Sequence, residues 1–209
     1  MPKRSLVATA FIAVLALARV ASSQDNAADI ERLVEALKLS PGSVVAEIGA
    51  GGGELSIGIA KRVAPGGRVI SSELGAARVQ SLRDAIAKGG GAANIEVIDG
   101  NEARTNFPDG CCDAVFLRNV YHHFGDPPAM IGSILRALKP GGRVAVIDFP
   151  PRGNAATAPP GKRGENSSHG VSAATVASEL TAAGFQIVTS EEQPSLSRWF
   201  IVVGAKPAS

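Results

Sequence analysis

The chain has 209 residues, 45% of them apolar, and its 21 Lys and Arg against 19 Asp and Glu give a formal charge of +2. That length and apolar content suit one α/β domain around one core rather than two domains. Lys3, Arg4 and Arg19 lie in the first 23 positions, which hold no acid, so the remainder carries −1; it has no Lys/Arg stripe to track a phosphate backbone, and nucleic acid is excluded as an expected partner.

The opening stretch, MPKRSLVATAFIAVLALARVASSQD, sets two bases before an apolar run from Leu6 to Leu17 and small residues at Ala21, Ser22 and Ser23. This is the order of a secretory signal peptide. Arg19 ends the run well short of the ~20 apolar residues a membrane span needs. The expectation is a leader over residues 1–23 and one domain over 24–209, periplasmic or secreted, with no stable membrane insertion after cleavage. An uncleaved N-terminal anchor is the alternative.

Past the leader, Ile30, Leu33, Val34 and Leu37 repeat at helical spacing until Ser40-Pro41-Gly42 stops them. Val44–Ile48 reads as a buried strand running into Gly49, and Leu55–Val63 as the helix after it. Arg68–Ser72 is a second strand, followed by a helix with Val79, Leu82 and Ile86 on one face. Asn94–Ile98 and Asp113–Leu117 are the third and fourth strands. Met130, Ile131, Ile134, Leu135 and Leu138 mark an amphipathic helix ended by Pro140-Gly141-Gly142, and Val144–Ile147 is the fifth strand. Strands alternating with helices imply a parallel sheet covered on both faces. Residues 150–170, with four Pro and four Gly, read as a mobile loop over one end of the sheet. Ser172 caps a helix reaching Ala183, Gly184 stops it, and Phe185–Thr189 is the sixth strand. Only nine residues separate it from Trp199–Val203. That is too short for a helical crossover, so the last two strands should run antiparallel.

Five Gly or Ala residues, 49–53, directly follow the first strand. Glycines 49, 51 and 53 there would let a ligand approach the backbone and the following helix N-terminus. A nicotinamide cradle wants a third Gly where Glu54 stands, and the residue four after Tyr121 is Gly125 rather than a dehydrogenase Lys. With Glu47 in the acidic place before Gly49-x-Gly51-x-Gly53, the segment VVAEIGAGGGELSIGIA resembles motif I of class I S-adenosylmethionine-dependent methyltransferases. FPDGCCDAVF and LRALKPGGRVAVIDF resemble that family's turns into strands four and five, and the likeness covers roughly residues 28–206.

The resemblance implies a Rossmann-like methyltransferase fold: a mostly parallel seven-stranded sheet with an antiparallel last strand and helices on both faces. It implies S-adenosylmethionine as cofactor, held by Glu47, Gly49, Gly51, Gly53 and Glu73, the last matching the family's acidic residue for the ribose hydroxyls. Asp99-Gly100-Asn101 occupies the adenine segment, with Asn101 where the family has Asp, so the adenine contact stays open between Asp99 and Asn101. The stretch Tyr121-His122-His123-Phe124 is similar to that of a small-molecule subgroup, some of whose members carry export signals.

The loop after strand four belongs at the carboxyl edge of the sheet, where open α/β folds bind ligands. Tyr121, His122, His123 and His169 are therefore the expected residues facing a small-molecule acceptor, and a near-neutral histidine is suited to take its proton. The plain alternatives are that one of His122 and His123 packs beneath the cofactor while the other hydrogen-bonds the backbone, and that His169 is an exposed loop residue. The adjacent Cys111 and Cys112 argue against a conventional structural disulfide and read as turn filler. No Cys/His cluster has zinc-site spacing, so no metal is expected. A binding protein on the same fold that no longer turns over is one rival, and a nicotinamide-dependent oxidoreductase is the other. Nothing in the sequence fixes the oligomeric state.

Overall fold

Runs of β-branched and apolar residues separated by glycine turns build one seven-stranded sheet, in a computed structural model that describes residues 26–90, 93–153, 155–165, 169–192 and 199–208. The expected leader, residues 1–23, lies outside them. In chain order the elements are α1 (26–36), β1 (Val44–Ile48), α2 (Glu54–Val63), β2 (Arg68–Glu73), α3 (Ala76–Lys88), β3 (Ile95–Asp99), β4 (Cys112–Arg118), a 3₁₀ turn (Tyr121–His123), α4 (Pro127–Ala137), β5 (Leu138–Asp148), α5 (Ala173–Ala182), β6 (Gln186–Glu192) and β7 (Phe200–Ala205). The spatial order is β3-β2-β1-β4-β5-β7-β6. The first five strands are mutually parallel, and β7 lies antiparallel between β5 and β6.

Alternation along the central strands splits the core in two. Ala46, Ile48, Val115, Leu117, Val144 and Val146 face α4 and α5, where Met130, Ile131, Ile134, Val176 and Leu180 meet them. Val45, Phe116, Ala145, Ile147 and Val203 face Leu33 and Leu37 near α1 and Leu55, Ile59 and Val63 of α2. Leu82 and Ile86 of α3 close a smaller cluster over Ala50. None of the described helices is long and apolar enough to cross a membrane.

Local chemistry sets the helix ends. The Asp126 carboxylate accepts from the Ala129 N–H ahead of α4, with Pro127 in the first turn, and the Ser172 hydroxyl accepts from the Thr175 N–H ahead of α5. Gly184, at φ 101°, stops α5 as expected.

Three expectations shift. Leu138 leaves the helix and pairs with Cys112 as the first residue of β5, so the register between β4 and β5 slips across the Lys-Pro-Gly-Gly segment. The side chains of Asp113 and Lys139, 2.7 Å apart, span this irregularity. Cys111 and Cys112 are joined by a vicinal disulfide; it closes no loop between distant residues, so loop-closure entropy gives it no leverage on the fold. The described parts of 150–170 are tied down rather than loose. Arg163 is buried there, donating to the Glu179 carboxylate at 2.5 and 3.1 Å and to the Ala158 carbonyl at 2.9 Å.

Candidate functional site

The strand order reverses between β1 and β4, where the chain has built outward through β2 and β3 and then returns to the other side of β1. Open α/β sheets hold ligands at the carboxyl ends of the strands flanking such a reversal. A cleft of about 770 Å³ lies at that place, within the ordinary size range of small-molecule sites.

Of the predicted glycines of the turn, Gly49 lines the cleft, while Gly51 and Gly53 stand outside its lining. The N–H groups of Gly49 and Ala50 donate to the Ser72 carbonyl, which folds the turn back against β2. Gly49 has φ 71°, and a Cβ there would lie 2.5 Å from Val120; Gly51 has φ 55° with open space where its Cβ would stand. The first glycine is needed for packing against the loop after β4, the second for backbone shape. Gly53 caps α2, whose N-terminus points toward the turn.

The two predicted acids take different places. Glu73, at the end of β2, lines the cleft; its Oε2 accepts from the Gly51 N–H and its Oε1 from the Leu74 N–H, each at 2.8 Å. Glu47 is buried beneath the turn and does not line the cleft. It accepts a short hydrogen bond from the Ser56 hydroxyl, which is itself 2.7 Å from the Ser71 hydroxyl. Burial pushes the Glu47 carboxyl up to about 8, against the Ser56 hydrogen bond and the Arg118 charge. Through Ser56 and Ser71 its side chain ties the start of α2 to β2.

At the adenine segment, Gly100 and Asn101 line the cleft and Asp99 does not. Asn101 Oδ1 accepts from the Ala103 N–H at 2.9 Å, and the Gly100 N–H donates to the Glu73 carbonyl, which ties this loop to β2.

Sequence reasoning passed over Arg118 and Asn119. Arg118 lines the cleft and is held by Asp29 of α1 at 2.7 Å. Asn119 also lines it, at φ 60°, with its Oδ1 buried and without a partner among the described residues. A buried amide oxygen left unpaired is costly, and at a cleft wall it marks a place for a ligand donor. The signal was an Asn one residue past a strand end, a residue type that tolerates left-handed backbone.

The four residues expected to face the acceptor separate. Tyr121 is buried away from the cleft and donates to Glu179 at 2.6 Å; burial, then that hydrogen bond and the Glu179 charge, push its hydroxyl pKa up. This corrects its expected place at the acceptor. His122 is buried too, its Nδ1 lying 2.9 and 3.0 Å from the two Asp148 oxygens and its backbone N–H donating to the same carboxylate. His123 is exposed and lines the cleft. Partial burial, then the neighbouring His122, hold its imidazole below the ordinary histidine range. His169, half-buried, sets its Nε2 3.2 Å from the Nε2 of His122. The three histidines present ligand atoms all within 4.8 Å of one another. This corrects the expectation that no metal-competent cluster exists: spacing rules find ligands close in sequence, and His169 arrives by tertiary folding.

Residues 46–146 match the family described as "Methyltransferase domain". The ubiquinone/menaquinone biosynthesis C-methyltransferase UbiE of Pseudomonas fluorescens (strain SBW25) is 34% identical over 120 residues, 56% of this chain and 45% of that protein. The chain thus spans under half the length of the curated relatives it matches. Among solved structures, a SAM-dependent methyltransferase from Aquifex aeolicus superposes with TM-score 0.70 at 22% identity, covering 85% of this chain and 89% of that one. The [4+2]-cyclase SpnF superposes with TM-score 0.72 at 18% identity, covering 86% and 81%. The architecture is the Rossmann-like methyltransferase fold.

Proposed function

We propose, for a chain that carries a matched methyltransferase domain on this fold, that it transfers a methyl group from S-adenosylmethionine to a small-molecule acceptor. The observation that carries the reading is the cleft itself: Glu73, Asn101 and the unpaired Asn119 line one cavity beside the glycine turn, at the switch point between β1 and β4. Those residues fit the cofactor by chemistry. The Glu73 carboxylate suits two ribose hydroxyls, the Asn101 side chain suits the adenine edge, and the glycine turn leaves room for the rest.

The bound cofactor supplies an electrophilic methyl carbon; the protein's task is placement of the nucleophile about 3–3.5 Å from it. Phe124 and Met130 give the cleft apolar wall, while His123 stands free to take a proton from an acceptor that must lose one. A solved neighbour named as a cyclase shows that the fold alone does not settle the chemistry, so the test must read turnover. Calorimetric titration should show S-adenosylmethionine and S-adenosylhomocysteine binding with one site per chain and no response to NAD. Incubation with methyl-labelled cofactor and a metabolite extract should move label into a small molecule. Binding without any transfer would favour the non-catalytic rival, and NAD binding would favour the oxidoreductase.

We further propose that residues 1–23 are an export leader, on the strength of the bases, the short apolar run and the small residues before Gln24. Mass spectrometry of the protein from its native host should find an N-terminus near Gln24. A full-length cytoplasmic product would overturn this.

A further inference from the structure

From the placement of its histidines, we infer that His122, His123 and His169 form a binding site for a borderline divalent cation of the zinc class, at the edge of the cleft. Three elements converge on it: the 3₁₀ turn after β4 brings His122 and His123, the end of β5 brings Asp148, and the segment before α5 brings His169.

The supporting carboxylate is the most telling feature. Asp148 is fully buried and accepts from the backbone N–H groups of His122 and Phe149, which fix its orientation. A carboxylate can only accept, so His122 carries its proton on Nδ1 and turns the lone pair of Nε2 outward. A carboxylate fixing the far nitrogen of an imidazole is the usual outer support of a metal-ligating histidine. The outward Nε2 meets the Nε2 of His169 at 3.2 Å. Two nitrogens bound tetrahedrally at ~2.0–2.1 Å lie roughly 3.3 Å apart, so this pair already has the spacing of two ligands on one ion.

His123 completes the set with its ring centroid 4.0 Å from that of His122, and Gly164 brings the overlying segment close to it, since a Cβ there would stand 3.1 Å from His123 Nδ1. The rings of His122 and His169 both pack against Phe149, at 4.8 and 4.9 Å between centroids, which gives the site an apolar wall. Three neutral imidazoles leave the fourth position of a tetrahedral ion open, the pattern of zinc sites that take water or a substrate atom. His123 lines the cleft, so the open position belongs on that side. A metal there would hold an acceptor through an oxygen or sulfur atom and favour its deprotonated form. With the ion bound, His123 is a ligand and the ion takes over the activation of the acceptor that His123 gives as a base in the metal-free chain; this use of the metal rests on the methyltransferase reading, the binding does not.

The test takes the purified, tag-free chain, strips it with a chelator and titrates it with zinc chloride, counting retained metal by mass spectrometry. One zinc per chain is expected, and cobalt substitution should give visible absorption bands. His169→Ala, outside the core, should weaken zinc binding by more than about 100-fold, since even outer-support changes such as Asp148→Asn cost about 10–100-fold. His123→Ala, at an exposed position, serves as the second ligand variant. No retained zinc, or zinc held as tightly by His169→Ala as by wild type, would overturn the site and leave the His122–His169 contact as a hydrogen bond. Titrating S-adenosylmethionine in parallel separates the two readings: its failure to bind would sink the methyltransferase function while the zinc result stands or falls alone.

Discussion

Glu47 stands one residue before the end of β1 and Glu73 ends the neighbouring β2, and the family resemblance implied a cofactor role for both. Only Glu73 reaches the cleft, so Glu73→Ala should weaken S-adenosylmethionine by about one to two decades, the worth of one charge-assisted hydrogen-bonding group. For Gly51, open space means that a valine is tolerated by packing but strained at φ 55°, where the residue's N–H holds the Glu73 carboxylate that lines the cleft. Gly51→Val should lose cofactor binding in calorimetry while keeping the native circular dichroism spectrum. Glu47 acts on stability instead. Its pKa of about 8 means that the folded chain keeps a proton the unfolded chain loses from roughly pH 4.3 upward. Stability should therefore fall as pH rises through that window and level off above about pH 8, by on the order of 3 kcal/mol at pH 7. Glu47→Gln, which keeps an acceptor for Ser56, should flatten the profile in denaturant titrations at a series of pH values. His123→Ala should lower turnover by about 10²–10⁴-fold and leave cofactor affinity in place, as one positioned acid or base would.

Strand and helix existence followed from pattern because each apolar run has a single period and each end has its own chemistry. The Ser172 cap and the Gly184 stop are local events, and both were readable. The end of α4 was not, because Leu138 suits a helix face and a buried strand equally, and its pairing with Cys112 decides the matter. Likewise, the Pro- and Gly-rich segment 150–170 looked free by composition, yet Arg163 anchors its described part to Glu179, the acceptor also used by Tyr121. Arg163→Ala should destabilise the chain by about 1–3 kcal/mol, since it removes both guanidinium hydrogen bonds to a partly buried carboxylate. Limited proteolysis should then cut within residues 155–165 faster than in the wild type.

For the whole molecule, a ligand bound only by the folded chain raises its stability by about 2.7 kcal/mol at a hundredfold excess over Kd. In a domain of this size each kcal/mol moves Tm by about 2–4 °C, so saturating S-adenosylhomocysteine should raise Tm by roughly 5–11 °C. The Glu73→Ala variant at the same concentration should show a visibly smaller shift. By itself the sequence determined the alternation of strands and helices, the reversed last strand and the glycine turn, because periodicity, capping and a too-short connection are all properties of neighbours along the chain. Tertiary structure alone decided that Glu73 lines the cleft while Glu47, bonded to Ser56, does not, since both are buried carboxylates near the ends of neighbouring strands and only their place relative to the cleft separates them. It also decided the fate of the histidines. His122 and His169 stand 47 positions apart, and only the crossover from β4 through β5 into α5 brings their Nε2 atoms to 3.2 Å over a buried aspartate.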